Sequence, residues 1–278
     1  MNTVCKCCFN TSSFLGNINF NKTCEDKPTS SVFKSSKILV PYFICRNCNF
    51  IFTDFMDNWN KSDFKKNIYN DDYILADPKE NSQGEKTNSG YHYGNYFSNI
   101  ILGLIKNKKI SKSREEIKIL DYGSGGSLSS FGRGLKANGF NLESYDPFFK
   151  ENNVNNINQK FDFIFMIEVI EHCHELEKTC KNLSELLDDN GFLWIQTMLH
   201  EINTNNEEIF GGHHYFSAPR DKILHSWYIA PRNGHVSIFS FQSMKLLFQR
   251  HNFNLIKFEE EGILQNLVMA KKIGKGLN

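Results

Sequence analysis

The ten residues Ile117-Lys118-Ile119-Leu120-Asp121-Tyr122-Gly123-Ser124-Gly125-Gly126 decide the fold, because they read as a buried strand running into a glycine-rich turn. Ile117, Ile119 and Leu120 give the apolar run and Asp121 stands at its carboxyl end. Three glycines then let backbone approach a ligand where a Cβ would collide. A strand ending this way predicts a binding crevice outside its carboxyl end.

Downstream, Leu128, Phe131 and Leu135 recur at helical spacing before Gly139, which is placed to close a helix. A second strand is predicted over Phe140 to Tyr145, and it ends in Asp146, about 20 positions beyond the glycines, the offset used to hold ribose hydroxyls. Two rival turns fit less well. A nicotinamide fingerprint needs a third glycine where this chain has Leu128, and no Gly-Lys-Ser/Thr triplet exists for a phosphate loop.

In Leu120-Asp121-Tyr122-Gly123-Ser124-Gly125 the sequence resembles the first motif of the class I S-adenosylmethionine-dependent methyltransferases. That resemblance implies cofactor contacts from Asp121, Gly123, Ser124, Gly125, Asp146 and Glu168. It implies an α/β fold with a doubly wound, mostly parallel, seven-stranded Rossmann-like sheet. Phe161 to Ile167 reads as a central strand buried on both faces. Glu168-Val169-Ile170-Glu171-His172 follows it and resembles the family's fourth motif, where donor and acceptor meet. The third strand, with its adenine contact, would fall in the Asn-rich stretch 151–160, where no residue declares itself.

The rest of the domain alternates in the same way. Phe97, Ile100, Ile101, Leu104 and Ile105 mark a leading helix, and Leu176, Cys180, Leu183 and Leu187 mark another before a strand over Phe192 to Thr197. Ser240 is placed to cap a helix carrying Phe241, Met244, Leu247 and Phe248, and two final strands are expected at Phe253 to Phe258 and Leu264 to Ala270. Tyr91-His92-Tyr93-Gly94-Asn95-Tyr96, ahead of the leading helix, is open to two readings, a lid over the crevice or a packing segment.

The N-terminal stretch has a separate signature. Cys5 and Cys8, with Cys45 and Cys48, form two Cys-x-x-Cys pairs in a chain with no apolar leader segment, so metal ligation is expected ahead of disulfides. Four thiolates would make a closed, structural zinc site stapling a ribbon over residues 1–60. Cys7 and Cys24 remain alternative ligands. Residues 61–90 read as a connecting segment and linker, and 91–278 as the methyltransferase domain. Similar leaders occur on some sugar methyltransferases.

For chemistry, a near-neutral histidine is the natural base for an acceptor hydroxyl, and His172 and His235 are the candidates, with Glu168 beside them. His213, His214 and His225 lie in comparable segments. Glu168, Glu171, His172 and His235 also resemble the divalent-metal set of small-RNA 2′-O-methyltransferases and ubiquinone-pathway O-methyltransferases. The plainer reading makes Glu171 and His172 hydrogen-bonding groups, and it is preferred because spacing alone does not establish ligand geometry.

Net charge is +1 over 278 residues, so no global field points to nucleic acid or membrane. Basic clusters are short, while aromatics at Tyr91, Tyr215, Phe216, Trp227 and Tyr228 suit an enclosed pocket. The sequence therefore points to a cytoplasmic enzyme that O-methylates a small hydroxylated metabolite or carbohydrate. A metal-assisted RNA methyltransferase and a non-catalytic zinc-ribbon module are the alternatives.

Overall fold

The computed structural model describes residues 2–78, 88–107, 110–125, 128–146, 148, 159–202, 215–218, 222–257 and 267–272. The chain opens with strands β1 (Asn2–Val4), β2 (Thr11–Asn19), β3 (Leu39–Cys45) and β4 (Ile51–Phe52), paired antiparallel in that order. Helices α1 (Lys61–Asn67) and α2 (Tyr73–Ala76) follow, and Asn60 caps α1 by accepting from the Ser62 and Asp63 amides. Next comes the long helix α3 (Asn88–Lys106). Tyr91 to Tyr96 lie in its first turns, with Tyr91 and His92 exposed and Gly94 and Phe97 buried.

The glycine turn leaves β5 (Lys118–Tyr122) and enters α4 (Ser130–Ala137), which closes at Asn138 with Gly139 at φ +82°. Strands β6 (Asn141–Tyr145) and β7 (Phe161–Ile167), helix α5 (Leu176–Leu186) and strand β8 (Leu187–Gln196) continue the alternation. Two short strands, β9 (Leu199–Ile202) and β10 (Tyr215–Ala218), pair parallel outside the main sheet. Strand β11 (Ser237–Ile238), helix α6 (Phe241–Gln249), β12 (Phe253–Lys257) and β13 (Leu267–Lys272) complete the described residues.

The main sheet has six strands among the described residues, in the order β12-β13-β8-β7-β5-β6. β6, β5, β7 and β8 run parallel, while β13 and β12 return antiparallel. The seventh strand was expected within 151–160, of which 151–158 lie outside the described residues. Alternate residues of the central strands face opposite layers, as the pleat requires. Leu120, Ile164, Met166, Leu193 and Ile195 pack with α5 and α6 on one face. Ile119, Phe163, Phe165 and Trp194 pack with Phe97 of α3 and Phe131 of α4 on the other. Order reverses beside β5, which puts the glycine turn at the switch point where such sheets bind ligands.

The N-terminal sheet is not closed by its own residues. Its fifth strand is β11, with Ser237 opposite Phe52 and Ile238 opposite Ile51. The core is shared too, for Cys5, Cys45, Cys48, Phe50 and Phe52 belong to the same buried cluster as Phe239, Met244 and Phe248. None of the described helices is long and apolar enough to cross a membrane.

Helices α3 and α4 touch through glycines. A Cβ on Gly94 would stand 2.2 Å from the Phe131 carbonyl oxygen and 2.8 Å from the Gly134 Cα. Alanine is favoured over glycine within a helix by about 1 kcal/mol, but overpacking of this kind costs typically about 1–3 kcal/mol and can cost more. Because backbone atoms on both sides cannot give way cheaply, the clash is expected to win. Gly94→Ala should lower the thermal midpoint, whereas Gly103→Ala on the same helix, with no atom within 4 Å of the added Cβ, should leave it equal or higher. Differential scanning calorimetry of the pair checks this.

Candidate active site

At the carboxyl end of β5 the chain reverses through Gly123 at φ +80° and Gly125 at φ +76°. The Gly123 and Ser124 amides both donate to the Tyr145 carbonyl, at 2.7 and 3.2 Å, which ties the turn to β6. A Cβ on Gly123 would lie 2.4 Å from Val169 Cγ2, while one on Gly125 would meet nothing within 4 Å and project into open space. Gly123 is therefore needed for packing and handedness, and Gly125 leaves room for a ligand. Asp146 receives the Gly125 amide on Oδ2 and the Phe148 amide on Oδ1, both at 2.8 Å, which holds its carboxylate at the rim of the turn.

Asp121 sits behind the turn. Its Oδ2 accepts from the Ser129 amide at 2.8 Å, it is buried, and burial pushes its carboxyl up to about 6. It fastens the strand end to the start of α4 and does not line the cleft. The Ser124 hydroxyl is buried with no protein partner among the described residues, and Ser124, like Asp121, is not part of the cleft lining.

The second half of the site begins where β7 ends. Glu168 takes φ +53°, strained for a non-glycine residue, with its amide donating to the Gln196 carbonyl at 2.8 Å. A 3-10 turn over Ile170–His172 then points Glu171 inward and His172 toward the cleft. The buried Glu171 carboxylate accepts from the Thr197 hydroxyl on Oε2 and the Tyr228 hydroxyl on Oε1, each at 2.9 Å. Burial and the neighbouring carboxylates push the Tyr228 hydroxyl up, so it stays protonated and donates. Glu168 Oε2 lies 3.4 Å from the same hydroxyl.

His172 Nε2 is 3.9 Å from Glu171 Oε1, and the His235 ring stands 4.9 Å from the His172 ring and 4.4 Å from that of Tyr228. His235 Nδ1 lies 2.8 Å from the Tyr228 carbonyl oxygen. A carbonyl only accepts, so Nδ1 carries the hydrogen it donates.

These elements frame one cleft of about 830 Å³. Gly123, Gly125 and Asp146 line it together with Glu168 and His172, and Trp59, Phe64, Tyr69, Tyr73 and Phe148 give it an aromatic wall. The wall is continuous: Trp59 meets Phe64 at 5.3 Å, Phe64 meets Phe148 at 5.6 Å, Phe148 meets Tyr69 at 4.8 Å, and Tyr69 meets Tyr73 at 5.1 Å.

A family model described as "Methyltransferase domain" matches residues 98–257, the span that holds the glycine turn, Asp146 and the Glu168 to His172 motif. The chain belongs to the methyltransferase-domain family. No curated protein sequence matches it significantly. Among solved structures it is similar to an O-methyltransferase family protein from Burkholderia thailandensis (13% identity, 58% of this chain and 52% of that chain, TM-score 0.36). It is also similar to the CurJ carbon methyltransferase (11%, 74% and 62%, 0.46) and to a SAM-dependent methyltransferase from Methanosarcina mazei (15%, 59% and 95%, 0.34). The chain spans 52% and 62% of the length of the first two.

Ahead of the matched domain the four spaced cysteines converge. Cys5, Cys8, Cys45 and Cys48 bring their sulfurs within 4.8 Å of one another, with Cys5 to Cys48 at 3.6 Å and Cys8 to Cys45 at 3.5 Å. The two knuckles repeat one geometry. Phe9 and Asn49, each directly after the second cysteine of its pair, take φ +58° and +57°, and their amides donate to the Cys5 and Cys45 carbonyls at 3.0 and 2.8 Å. Cys7 donates its amide to Cys5 Sγ at 3.4 Å while its own thiol is buried in the core, and Cys24 lies 3.7 Å from His235 Nδ1. Neither is in the cluster.

Of the histidines named from sequence, His172 lines the cleft, His235 lies buried behind it, and His225 is exposed outside it. His213 and His214 fall outside the described residues. Glu171, His172 and His235 come together, with Glu168 linked through Tyr228. Sequence reading did not find the aromatic wall. Tyr91 lies on α3 and Trp227 is exposed, and the rings facing the cleft come from residues 59–73 and Phe148. Residues 61–90 read in the sequence as a connecting segment and linker, yet Phe64, Tyr69 and Tyr73 within them face the cleft. Thr197 and the Glu171 contact of Tyr228 carried no local signal at all.

Two outcomes follow from the turn. Gly123→Ala must strain φ or push Val169 aside, at a cost of about 1–3 kcal/mol, so affinity for S-adenosylhomocysteine should fall about ten-fold or more by calorimetry. For Asp121, the folded carboxyl at about 6 exceeds its ordinary value of 3.8, so the buried charge is absent below about pH 4 and costs stability in full above about pH 6. The melting-temperature difference between Asp121→Asn and the unaltered protein should therefore move in the variant's favour as pH rises through that window.

Proposed function

We propose that this methyltransferase O-methylates a small hydroxylated metabolite or carbohydrate in the cytoplasm. The observation that carries the reading is the joining, in one cleft, of the glycine turn, His172 and the aromatic wall of Trp59, Phe64, Tyr69 and Tyr73. Aromatic faces stack on the apolar faces of sugar-like rings, and an imidazole can take a hydroxyl proton near neutral pH.

The residues present fit the cofactor. Gly125 leaves open space and Asp146 offers a carboxylate at the rim. Bound there, S-adenosylmethionine supplies a methyl group on an electrophilic sulfonium. The chain's own residues then have to orient an acceptor, exclude water and remove a proton. His172 takes the acceptor proton. The imidazolium it becomes is stabilised by the Glu171 carboxylate at 3.9 Å, which Thr197 and Tyr228 hold in place. Glu168 presents a second carboxylate to the same part of the cleft.

The four-cysteine cluster holds one structural zinc in this reading. A tetrahedral zinc with bonds of about 2.3 Å sets its sulfurs about 3.8 Å apart, close to the 3.5 and 3.6 Å separations here and far from the ~2 Å of a disulfide. Four thiolates leave no open position, so the metal staples. Its loss is expected to loosen more than residues 1–60, since the cluster shares a core with α6. Elemental analysis should give one zinc per chain, and a strong chelator should lower a single unfolding transition rather than release a separate early one. Absence of stoichiometric metal would remove the assignment.

The grouping of Glu171, His172 and His235 within 4.8 Å favours a second reading, in which a divalent ion binds there and activates the acceptor hydroxyl. Both Glu171 oxygens already accept strong hydrogen bonds, so the histidine base is the preferred reading. A screen of sugars, nucleotide-linked sugars and RNA with labelled cofactor, repeated with EDTA, separates them. Turnover of a small hydroxylated acceptor should survive EDTA and fall about a hundred-fold or more in His172→Ala. Label in RNA alone would overturn the acceptor class, and EDTA-sensitive turnover would replace the base by the metal.

A further inference from the structure

The segment from Leu224 to Ser240 carries Tyr228 and His235 yet has little regular structure of its own, only two 3-10 turns and the two residues of β11. Its position is set from outside, and mostly by residues far away in sequence. Lys22 Nζ donates to the Ser226 and Ile229 carbonyls at 2.8 and 2.6 Å, bracketing Tyr228. The Cys24 amide donates to Asn233 Oδ1 at 2.9 Å, and Asn233 Nδ2 donates to the Ala76 carbonyl at 2.9 Å. The Tyr42 hydroxyl, fully buried in β3, donates to the His235 carbonyl at 2.8 Å, and the Thr53 amide donates to the Val236 carbonyl at 3.1 Å.

On the opposite side the segment is tied to the chemistry. The Val236 amide donates to the Glu171 carbonyl at 2.9 Å, and the Ser237 hydroxyl donates to the Cys173 carbonyl at 2.8 Å. Gly234, at φ +85°, packs closely against the same turn, because a Cβ there would lie 3.3 Å from His172 Nδ1 and 3.5 Å from the Tyr69 hydroxyl. Asn233, Gly234 and His235 thus form a thin layer between the cysteine-bearing sheet and the Glu171–His172 turn.

We propose that Tyr42 and Asn233, which lie outside the cleft lining, are positioning residues of the methyl-transfer centre, through which the N-terminal sheet acts as its rear wall. The proposal rests on the assignment of His172 and Glu171 to the reacting end of the cleft. Tyr42 holds the backbone of His235, and Asn233 locks that backbone to β2's following turn and to the end of α2. Together they fix the His235 ring, with its Nδ1 hydrogen on the Tyr228 carbonyl, against His172. A displacement of about an ångström at such a support can cost up to about a hundred-fold in rate without touching substrate binding.

The test uses full-length Tyr42→Phe and Asn233→Ala, with Phe43→Leu as a destabilised control. Phe43 occupies the same strand but the opposite buried cluster. Nitrogen NMR of the imidazoles reports the tautomer of His235 and needs no acceptor. The unaltered protein and Phe43→Leu should show a single Nδ1–H tautomer, and the two positioning variants a mixture. Affinity for S-adenosylhomocysteine should stay within about two-fold in all of them. With an acceptor from the screen, kcat should fall about ten-fold or more in Tyr42→Phe and Asn233→Ala at unchanged KM for the cofactor, with Phe43→Leu near the unaltered rate. An unchanged His235 signal in Tyr42→Phe, or an equal change in Phe43→Leu at equal loss of thermal midpoint, would overturn the proposal. If no acceptor is found, the functional reading fails while the tautomer measurement still decides this one.

Discussion

Glu171 is a carboxylate with 1% of its surface exposed, and the arrangement of the site follows from the need to satisfy it. A buried charge without partners costs several kcal/mol, so the fold must deliver donors to both oxygens. Thr197 arrives from the end of β8 and Tyr228 from the segment before β11. The main chain of the same residue is used too, its carbonyl receiving the Val236 amide. Three stretches that are distant in sequence are drawn to one point, and His172 and His235 are carried there with them.

The glycine turn imposes the complementary constraint at the other end of the cleft. Its left-handed glycines need support from behind, and Asp121 gives it by bonding the Ser129 amide below the turn. That leaves the cleft surface at the turn to Gly123, Gly125 and Asp146, and it separates two roles that the motif Asp-Tyr-Gly-Ser-Gly runs together. A buried acid spent on the scaffold costs stability near neutral pH, a cost the fold accepts for a fixed turn.

The cysteine-bearing sheet and the parallel sheet are joined by strand pairing as well as by packing. β11 is contributed by the C-terminal half to complete the N-terminal sheet. The Ser240 hydroxyl caps α6 through the Ser243 amide and also donates to the Cys48 carbonyl at 2.6 Å. A single hydroxyl thereby couples a knuckle of the thiolate cluster to the helix that covers the main sheet. Residues 59–73, between the two sheets, are placed by this union as the aromatic wall.

Features governed by local periodicity were legible in the sequence. The apolar run of Phe161 to Ile167, the Ser240 cap, the Gly139 helix end and the Gly123 and Gly125 turn each depend on neighbours a few residues away, and each is found where the pattern places it. The paired cysteines were legible for the same reason, since a Cys-x-x-Cys knuckle is a local structure. Which thiols converge was not, because Cys7 and Cys8 differ only in the direction a folded knuckle gives them. The aromatic wall, the donors on Glu171 and the hydroxyl of Tyr42 on the His235 carbonyl, 193 residues apart, were decided by tertiary structure alone. Side-chain contacts across such separations depend on how sheets and helices are stacked, and no periodicity or spacing in a linear chain encodes that stacking.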